Sequence, residues 1–410
     1  MQKKVAVIGM GYVGLPLALR AVSVGFSVVG VDVSSERVDF LNSGKSFTEE
    51  IPDLVVREAL QEGLVFTCSF GQVSECDVIV ICVPTPLDIE EKAPDISPVL
   101  AAVAEVAPRV SVGSLIVVES TVSPGTTEGP ILEALVSGGL ELDTGFFLGF
   151  SPERINPGST SRSIESVPKL VSGCSPASLE QTQLFYEALV DVVVPVSGTR
   201  EAEFAKLLEN SYRLVNIGLV NELAFSAAKM GIDFGEVVRA ASTKPYGFEA
   251  FLPSAGAGGH CIPVDPVYLL NEIQGATGDD VNILAAAITS NKAAPARFVD
   301  EVLGAGRDLT GTAVLVCGLG YKPGVTDTRH SPAIGVIRRL IQLGAKVDVY
   351  DKEVARIQVD GSELHSVTLE DSPHTFHLAV LLHQYSAGMI SAIRSTSREL
   401  VGAVGSFGVV

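Results

Sequence analysis

The run "KKVAVIGMGYVGLPLALR" restricts the fold more than any other stretch of the chain. Its first part is short, apolar and rich in β-branched residues, which predicts a strand; the residues after Gly14 carry the apolar spacing of a helix. Between them, Gly9, Gly11 and Gly14 fit G-x-G-x-x-G. The pattern is weak alone, but here a second strand, "SVVGVDV", follows the helix and carries Asp32 at its end. Gly9 permits the tight turn, Gly11 lets the backbone approach a pyrophosphate, and Gly14 lets the helix pack on the sheet. The phosphates would then meet the free N–H groups and positive dipole end of a helix. Asp32 would accept both adenosine ribose hydroxyls and repel a 2′-phosphate, so the turn predicts NAD rather than NADP. Arg37 is placed to stack on or flank the adenosine, and Tyr12 and Val13 complete the turn's cofactor set.

Further strand-like runs follow in "VSECDVIVICVPTP", "GSLIVVEST" and "GFFLGFSPE", with helical stretches between several of them. Strand alternating with helix predicts a doubly wound parallel sheet. Near residue 200 the character changes, and apolar residues recur at helical spacing for about 30 positions, which suits a central helix shared between domains or subunits. After Pro295 the alternation resumes with the strand and turn "GTAVLVCGLGYKPG", the helix "SPAIGVIRRLIQLG" and the strand "AKVDVYDKE". The expected class is α/β, with two Rossmann-like doubly wound parallel-sheet domains joined by a long central helical domain. The expected boundaries are 1–195 (NAD-binding), 196–295 (helical, dimerising) and 296–410 (α/β). A length of 410 residues with 47% hydrophobic residues allows several cores of this kind.

No apolar run reaches the roughly 18 residues that cross a bilayer. Glycines interrupt the first apolar segment where a signal peptide would be continuous, so a cytoplasmic location without a membrane partner is expected. The net charge of −19 argues against nucleic acid as a partner. An anionic small ligand remains compatible with it, because helix N-termini and local cations can hold one.

Residues with chemical potential cluster after the strands. "CVPTP" supplies Pro84 and Thr85, and "EST" supplies Ser120 and Thr121, at the sheet edge where ligands bind. "FSPERINPG" places Glu153, a candidate general base, and Arg154 after another strand. In "EFAKLLENSYR", Lys206 and Asn210 stand at i and i+4 on one helix face, where an ammonium and an amide can stabilise an oxyanion. Six cysteines, at 68, 76, 82, 174, 261 and 317, form no C-x-x-C pair and no metal-site spacing. Cys261 differs from the others because "GGHCIPVDP" sets it in a glycine loop four residues before Asp265. A thiolate there could capture an aldehyde and leave from a thioester. His260 is a tempting base for it, although adjacent residues rarely point at one another. "GLGYKPGVTDTRHSP" adds a second glycine turn with Lys322 and Arg329, cations suited to a pyrophosphate.

In their order along the chain, "GMGYVGLP", "VPTP", "EST", "SPERINPG", "KLLENSYR", "GGHCIPVDP" and "YKPGVTDTRHSP" closely resemble the UDP-glucose/GDP-mannose dehydrogenase family. The resemblance implies an NAD-binding Rossmann domain, a central helix used in homodimerisation and a C-terminal UDP-sugar domain. It also implies four-electron oxidation of a sugar C6 alcohol to a carboxylate without release of the aldehyde. Carried over by motif, Cys261 resembles the nucleophile, Lys206 and Asn210 the active-site pair, and Thr121 and Asp265 the residues that organise a water. Glu153 resembles the proton acceptor, Lys322 the substrate-binding lysine and Arg329 a cofactor contact. Residues 252–258 resemble the loop over the sugar nucleotide, so that Phe251, Leu252, Gly256 and Gly258 join the expected substrate set with Glu153, Arg154, Lys206 and Asn210.

"STKPYGFEAFLP" followed by "GGHCIPVDP" is similar to the branch that acts on UDP-N-acetylglucosamine. UDP-glucose enzymes typically read N-P-E-F-L-x-E-G where this chain reads "SPERINPG", so Pro157 replaces a second carboxylate. Two departures from that branch mark the chain. The loop reads "PSAGAGG" where the branch has P-G-P-G-x-G-G, and "GAVGSFGVV" carries no D-x-R-G-like turn.

Overall fold

Strands that are apolar on both faces need cover on both faces, and the chain supplies it with helices between successive strands. The computed structural model describes residues 3–48, 50–88, 93–154, 164–369, 376–402 and 408–409. It divides into two compact units, Met1–Glu209 with Val267–Gly278, and Asn210–Pro266 with Asp279–Val410.

In the first unit β1 (Lys4–Ile8), β2 (Ser27–Val31), β3 (Val65–Thr67), β4 (Val78–Ile81), β5 (Ser114–Val118), β6 (Phe146–Phe150), β7 (Lys169–Gly173) and β8 (Val193–Pro195) form one sheet. Their order is β3-β2-β1-β4-β5-β6-β7-β8. Helices α1 (Gly14–Ser23), α2 (Ser35–Asn42), α3 (Asp53–Gln61), α4 (Ser97–Val106), α5 (Leu132–Val136) and α6 (Pro176–Glu187) cover it. Alternate residues of β1 point to opposite faces, so Val5 and Val7 enter one core with Leu15, Leu41 and Tyr186. Ala6 and Ile8 enter another with Ile79, Ile116 and Phe150.

Pairing in this sheet is parallel except between β6 and β7, which run antiparallel. The doubly wound parallel sheet expected from the sequence is present, with this one antiparallel pair in it. A parallel return needs a crossover, usually a helix, and no α-helix lies between β6 and β7 among the described residues. Glycines let α6 approach this pair. A Cβ on Gly149 would lie 2.1 Å from Thr182 Oγ1, and one on Gly173 would lie 2.2 Å from the Leu179 amide nitrogen.

The long helix expected after residue 200 is α7 (Thr199–Lys229), 31 residues in one piece. It is followed by α8 (Phe234–Ala241), α9 (Asp265–Thr277) and α10 (Asn282–Leu303). In the second unit β9 (Ala313–Cys317), α11 (Pro332–Gln342) and β10 (Lys346–Tyr350) make the predicted second βαβ unit. A hairpin of β11 (Arg356–Val359) and β12 (Ser362–His365) precedes β13 (Phe376–Leu381), α12 (Ala387–Thr396), β14 (Ser397–Gly402) and β15 (Gly408–Val409). The second sheet has the order β10-β9-β13-β14-β15, and β15 closes it antiparallel to β14. The glycine-rich end of the chain, featureless as a sequence, therefore contributes an edge strand. Among the described residues no helix is long and apolar enough to cross a membrane.

Candidate active site

The ends of β1 and β2 build a nucleotide cradle in the first unit. The Gly9 amide donates to the Val31 carbonyl (2.7 Å), and Gly9 takes φ +96°, a conformation that disfavours side chains. A Cβ on Gly9 would lie 2.6 Å from the Cys82 carbonyl oxygen, and one on Gly14 would lie 1.9 Å from the Gly9 carbonyl oxygen. On Gly11 it would meet nothing within 4 Å. Gly9 and Gly14 are thus required by the protein's own packing, whereas the space over Gly11 is left to a ligand. Asp32 is buried, and its Oδ2 accepts from the Met10 amide (2.8 Å) and from Arg37 Nη1 (3.1 Å). Arg37 lies over the Phe47 ring, 5.3 Å from its centroid, and Phe47 meets Tyr12 edge-on. Val13 precedes α1 and packs on the core. The open backbone over Gly11 and the Asp32 carboxylate fit the pyrophosphate and the unphosphorylated ribose of NAD.

Because β1, β4, β5 and β6 are parallel, the residues after their C-terminal ends share one sheet edge. Pro84 is exposed there, and Thr85, Thr121 and Glu153 are half-buried. Ser120 is buried, and its hydroxyl donates to the Val83 carbonyl (2.7 Å), tying the end of β5 to that of β4. Glu203 accepts from the Gly125 amide (2.6 Å), the Thr127 amide (2.9 Å) and the Thr127 hydroxyl (2.6 Å), and so fixes the segment just past Thr121. Burial raises its carboxyl to about 7 against these donors. Arg154 pairs with Glu209 (2.7 Å) and donates to the Pro168 carbonyl (2.7 Å), which commits its guanidinium inside this unit. Glu153 lies 3.7 Å from the buried Lys169, a residue for which the sequence carried no signal. Pro157 lies outside the described residues.

Lys206 and Asn210 are both buried, one turn apart on α7. Lys206 forms no ion pair among the described residues. In the second unit, Asn210 Nδ2 donates to Asp265 Oδ2 (2.6 Å). Asp265 is the first residue of α9, where the helix dipole favours a carboxylate. The Cys261 carbonyl accepts from the Val264 and Asp265 amides (3.0 and 2.8 Å), which turns the chain into α9. Cys261 is half-buried, whereas Cys76, Cys82 and Cys317 are buried. Burial pushes the Cys76 thiol up to about 11 and that of Cys174 to about 12, and it also raises Cys82 and Cys317.

His260 Nδ1 stands 3.7 Å from Asp327, which with the Cys261 thiol raises the imidazole to about 9. Held toward the cation by Asp327, it is poorly suited to the role of base that its position beside Cys261 suggests. Burial alone would raise the Asp327 carboxyl, but His260 and Arg329 hold it below the usual range. Arg329 grips Asp327 through Nε (2.9 Å) and Nη2 (2.6 Å). A pH signature follows. The folded-state value exceeds the ordinary 6.5 or so of histidine, so the stabilisation is complete below that pH and is lost as pH rises through about 9. The thermal-midpoint gap between the parent and His260→Ala should be widest near pH 6 and shrink toward pH 9. An equal gap at both would show that the ion pair contributes nothing.

The divergent turn is absorbed by two asparagines. Asn221 Oδ1 accepts from the Ser254 amide (2.8 Å), and Asn291 bonds both the amide and the carbonyl of Ala257 (2.7 and 2.9 Å). Ala255 is buried in the core, and Gly256 takes φ +120°. Phe251 packs on Val220, Ala224 and Phe234 and anchors the loop, while Leu252 is exposed. A Cβ on Gly258 would strike the His330 carbonyl oxygen at 2.7 Å, so this glycine serves the packing of the loop on residues 321–332.

The second glycine turn, which also carries the half-buried Lys322, copies the first up to a point. The Gly318 amide donates to the Tyr350 carbonyl, and the Leu319 amide donates to Asp351, as those of Gly9 and Met10 do to Val31 and Asp32. But a Cβ on Gly320 would lie 2.2 Å from the Val325 carbonyl oxygen, so the chain itself fills the space that stays open over Gly11.

Comparison with known proteins gives three family matches: the UDP-glucose/GDP-mannose dehydrogenase NAD binding domain at residues 3–190, the central domain at 200–293, and the UDP binding domain at 315–387. The chain is 37% identical over 360 residues to a UDP-N-acetyl-D-glucosamine 6-dehydrogenase of Pseudomonas aeruginosa, covering 86% of this chain and 83% of that one. It is 33% identical to a UDP-N-acetyl-D-mannosamine dehydrogenase of Methanococcus maripaludis, covering 88% and 82%. Among solved structures, a UDP-N-acetyl-D-mannosamine dehydrogenase from Pyrococcus horikoshii superposes with a TM-score of 0.85 at 30% identity, covering 98% and 95%. With the open glycine turn, the acidic strand end and three domain matches in one order, the chain belongs to the UDP-glucose/GDP-mannose dehydrogenase family and is an NAD-dependent oxidoreductase.

Proposed function

We propose that the protein oxidises the C6 alcohol of UDP-N-acetylglucosamine to the carboxylate in two NAD-dependent steps, with Cys261 as the nucleophile. The observation that carries this reading is the half-buried Cys261 turned into α9 by its own carbonyl, with Asn210 bonded to Asp265 in the same unit. NAD, bound at the Gly9–Gly14 turn, supplies the hydride acceptor for both steps. The first oxidation yields the C6 aldehyde, and the hydroxyl proton leaves through Lys206 or through Asp265 and a water. The Cys261 thiol then gives its proton to water as its sulfur adds to C6, and Lys206 and Asn210 stabilise the oxyanion of the thiohemiacetal. Loss of the second hydride leaves a thioester. Water attacks C6, the C6–O bond forms as the C6–S bond breaks, Cys261 recovers its thiol, and Glu153 takes up the remaining proton, with Thr121 and Asp265 in the water-organising roles that the resemblance implies.

The substrate set of Glu153, Arg154, Lys206, Asn210, Phe251, Leu252, Gly256, Gly258 and Lys322, the cofactor roles of Thr85 and Arg329, and domain boundaries at 195 and 295 belong to the same reading. The gaps between the three family matches support the boundaries. A homodimer is part of it as well: Phe204, Leu208, Tyr212, Leu219 and Leu223 recur at helical spacing on α7 and are all exposed. The sugar assignment is supported by the "KPYGF" segment and by the 37% relative. A panel of UDP-sugars with NAD, counting NADH per sugar consumed, tests the whole. Two NADH per UDP-N-acetylglucosamine are expected. One per sugar would refute the four-electron course, and preferred turnover of UDP-N-acetylmannosamine or UDP-glucose would overturn the sugar assignment.

A further inference from the structure

The reversal of β7 places one pair of residues opposite each other. Gly149 pairs with Gly173 and Phe150 with Ser172, so the antiparallel register, carried three residues past β6, sets Glu153 across from Lys169. Flanking bonds keep that register, with the Ser151 hydroxyl donating to the Leu170 carbonyl (2.7 Å) and Arg154 to the Pro168 carbonyl (2.7 Å). The Lys169 ammonium is 3.1 Å from Glu119 Oε2 and 3.7 Å from Glu153 Oε2, and it lies over the Tyr186 ring. Tyr186 donates its hydroxyl to the other Glu119 oxygen. The side chains of Lys169 and Glu119 are almost completely buried, and that of Glu153 is 13% exposed.

Glu119 directly precedes Ser120 and Thr121 at the end of β5. One ammonium thus joins the segment that carries Thr121 to the segment that carries Glu153. We infer that Lys169 is a positioning residue for thioester hydrolysis, holding the Glu153 carboxylate and the Thr121 segment at a fixed separation around the attacking water. The inference rests on the proposed role of Glu153. Burial opposes charge on Lys169, but Glu119 and then Glu153 outweigh it and keep it cationic, while burial raises the Glu119 carboxyl. On this inference Lys169 is confined to the hydrolytic half because Glu153 is the proposed catalytic group that its ammonium faces.

The test is Lys169→Met in the full chain, with UDP-N-acetylglucosamine and NAD. If Lys169 acts in hydrolysis, the first two NADH per active site should form as a burst at the parent's rate. Steady-state turnover should fall about 100-fold, the scale of a lost proton acceptor. Intact-mass measurement should find the sugar acyl group held on Cys261. Lys169→Arg, which keeps the charge, should turn over without that accumulation. Should the single variant fold poorly, Glu119→Gln/Lys169→Met removes one carboxylate together with the ammonium and should show the same burst and adduct. Turnover of the folded variant within about twofold of the parent would overturn the inference. So would loss of the burst together with turnover, which marks a structural role. A parent that forms two NADH per sugar sustains the proposed function, so failure confined to the variants is failure of this inference alone.

Discussion

Cys261→Ser is expected to abolish formation of the sugar acid, with turnover falling by about a thousandfold or more. A serine hydroxyl is a far weaker nucleophile than a thiolate, and an oxygen ester leaves C6 less readily than a thioester. The substitution should not disturb the fold. The main chain at 261 is held by its carbonyl, which accepts from the amides of Val264 and Asp265, and the side chain is only half-buried. The thermal midpoint should therefore stay close to the parent's. The decisive readout is product analysis after incubation with UDP-sugar and NAD, together with intact mass. The parent should deliver acid, and the variant none. Acid formation by the serine variant at the parent's rate would remove the thioester course altogether.

Two glycines three residues apart, Gly14 and Gly11, should fail in opposite ways. Gly14→Val brings a Cβ to 1.9 Å from the Gly9 carbonyl oxygen, a backbone atom that cannot move aside, so α1 must lift from the sheet. A loss of about 4 kcal/mol or more is expected, read as a large fall in thermal midpoint. Gly11→Ala meets no protein atom within 4 Å, and Gly11 does not lie in the left-handed region. Its methyl group should leave the midpoint within about 1 °C of the parent's and still weaken NAD tenfold or more, about 1.4 kcal/mol, because it enters the space reserved for the pyrophosphate. Calorimetric titration with NAD measures the second effect. Unchanged NAD affinity in a folded Gly11→Ala protein would move the cofactor away from this turn.

Legibility differed between the two halves of the chemistry. The cofactor turn could be read because its function demands glycine where side chains clash, and because Asp32 follows at the next strand end. Cys261 and Asp265 stand out in the sequence because glycine and proline punctuate their loop; the structure adds the hydrogen bond from Asn210 to Asp265, and their chemical roles remain part of the proposal. Lys169 could not. In "KLVSG" it looks like the polar first residue of any strand, and only the antiparallel return of β7, which an apolar run cannot encode, sets it opposite Glu153. Glu203 passes for a solvated helix residue, yet it accepts three hydrogen bonds in the core. Asn221 and Asn291 lie 33 and 34 residues from the loop positions they hold, beyond the reach of local pattern.

The filled second turn sets a constraint on timing. With Gly320 closed over by its own Val325, the cradle at Gly11 is the open one of the two glycine turns among the described residues. In a four-electron oxidation the spent NADH must leave that cradle, and fresh NAD must dock, before the second hydride can depart. The half-oxidised sugar has to outlast that exchange. On the proposed course the tether to Cys261 is a clock as much as a chemical step: the adduct's lifetime must exceed the residence time of NADH, and a high ratio of NADH to NAD should stall the enzyme between its two oxidations with the sugar still on board.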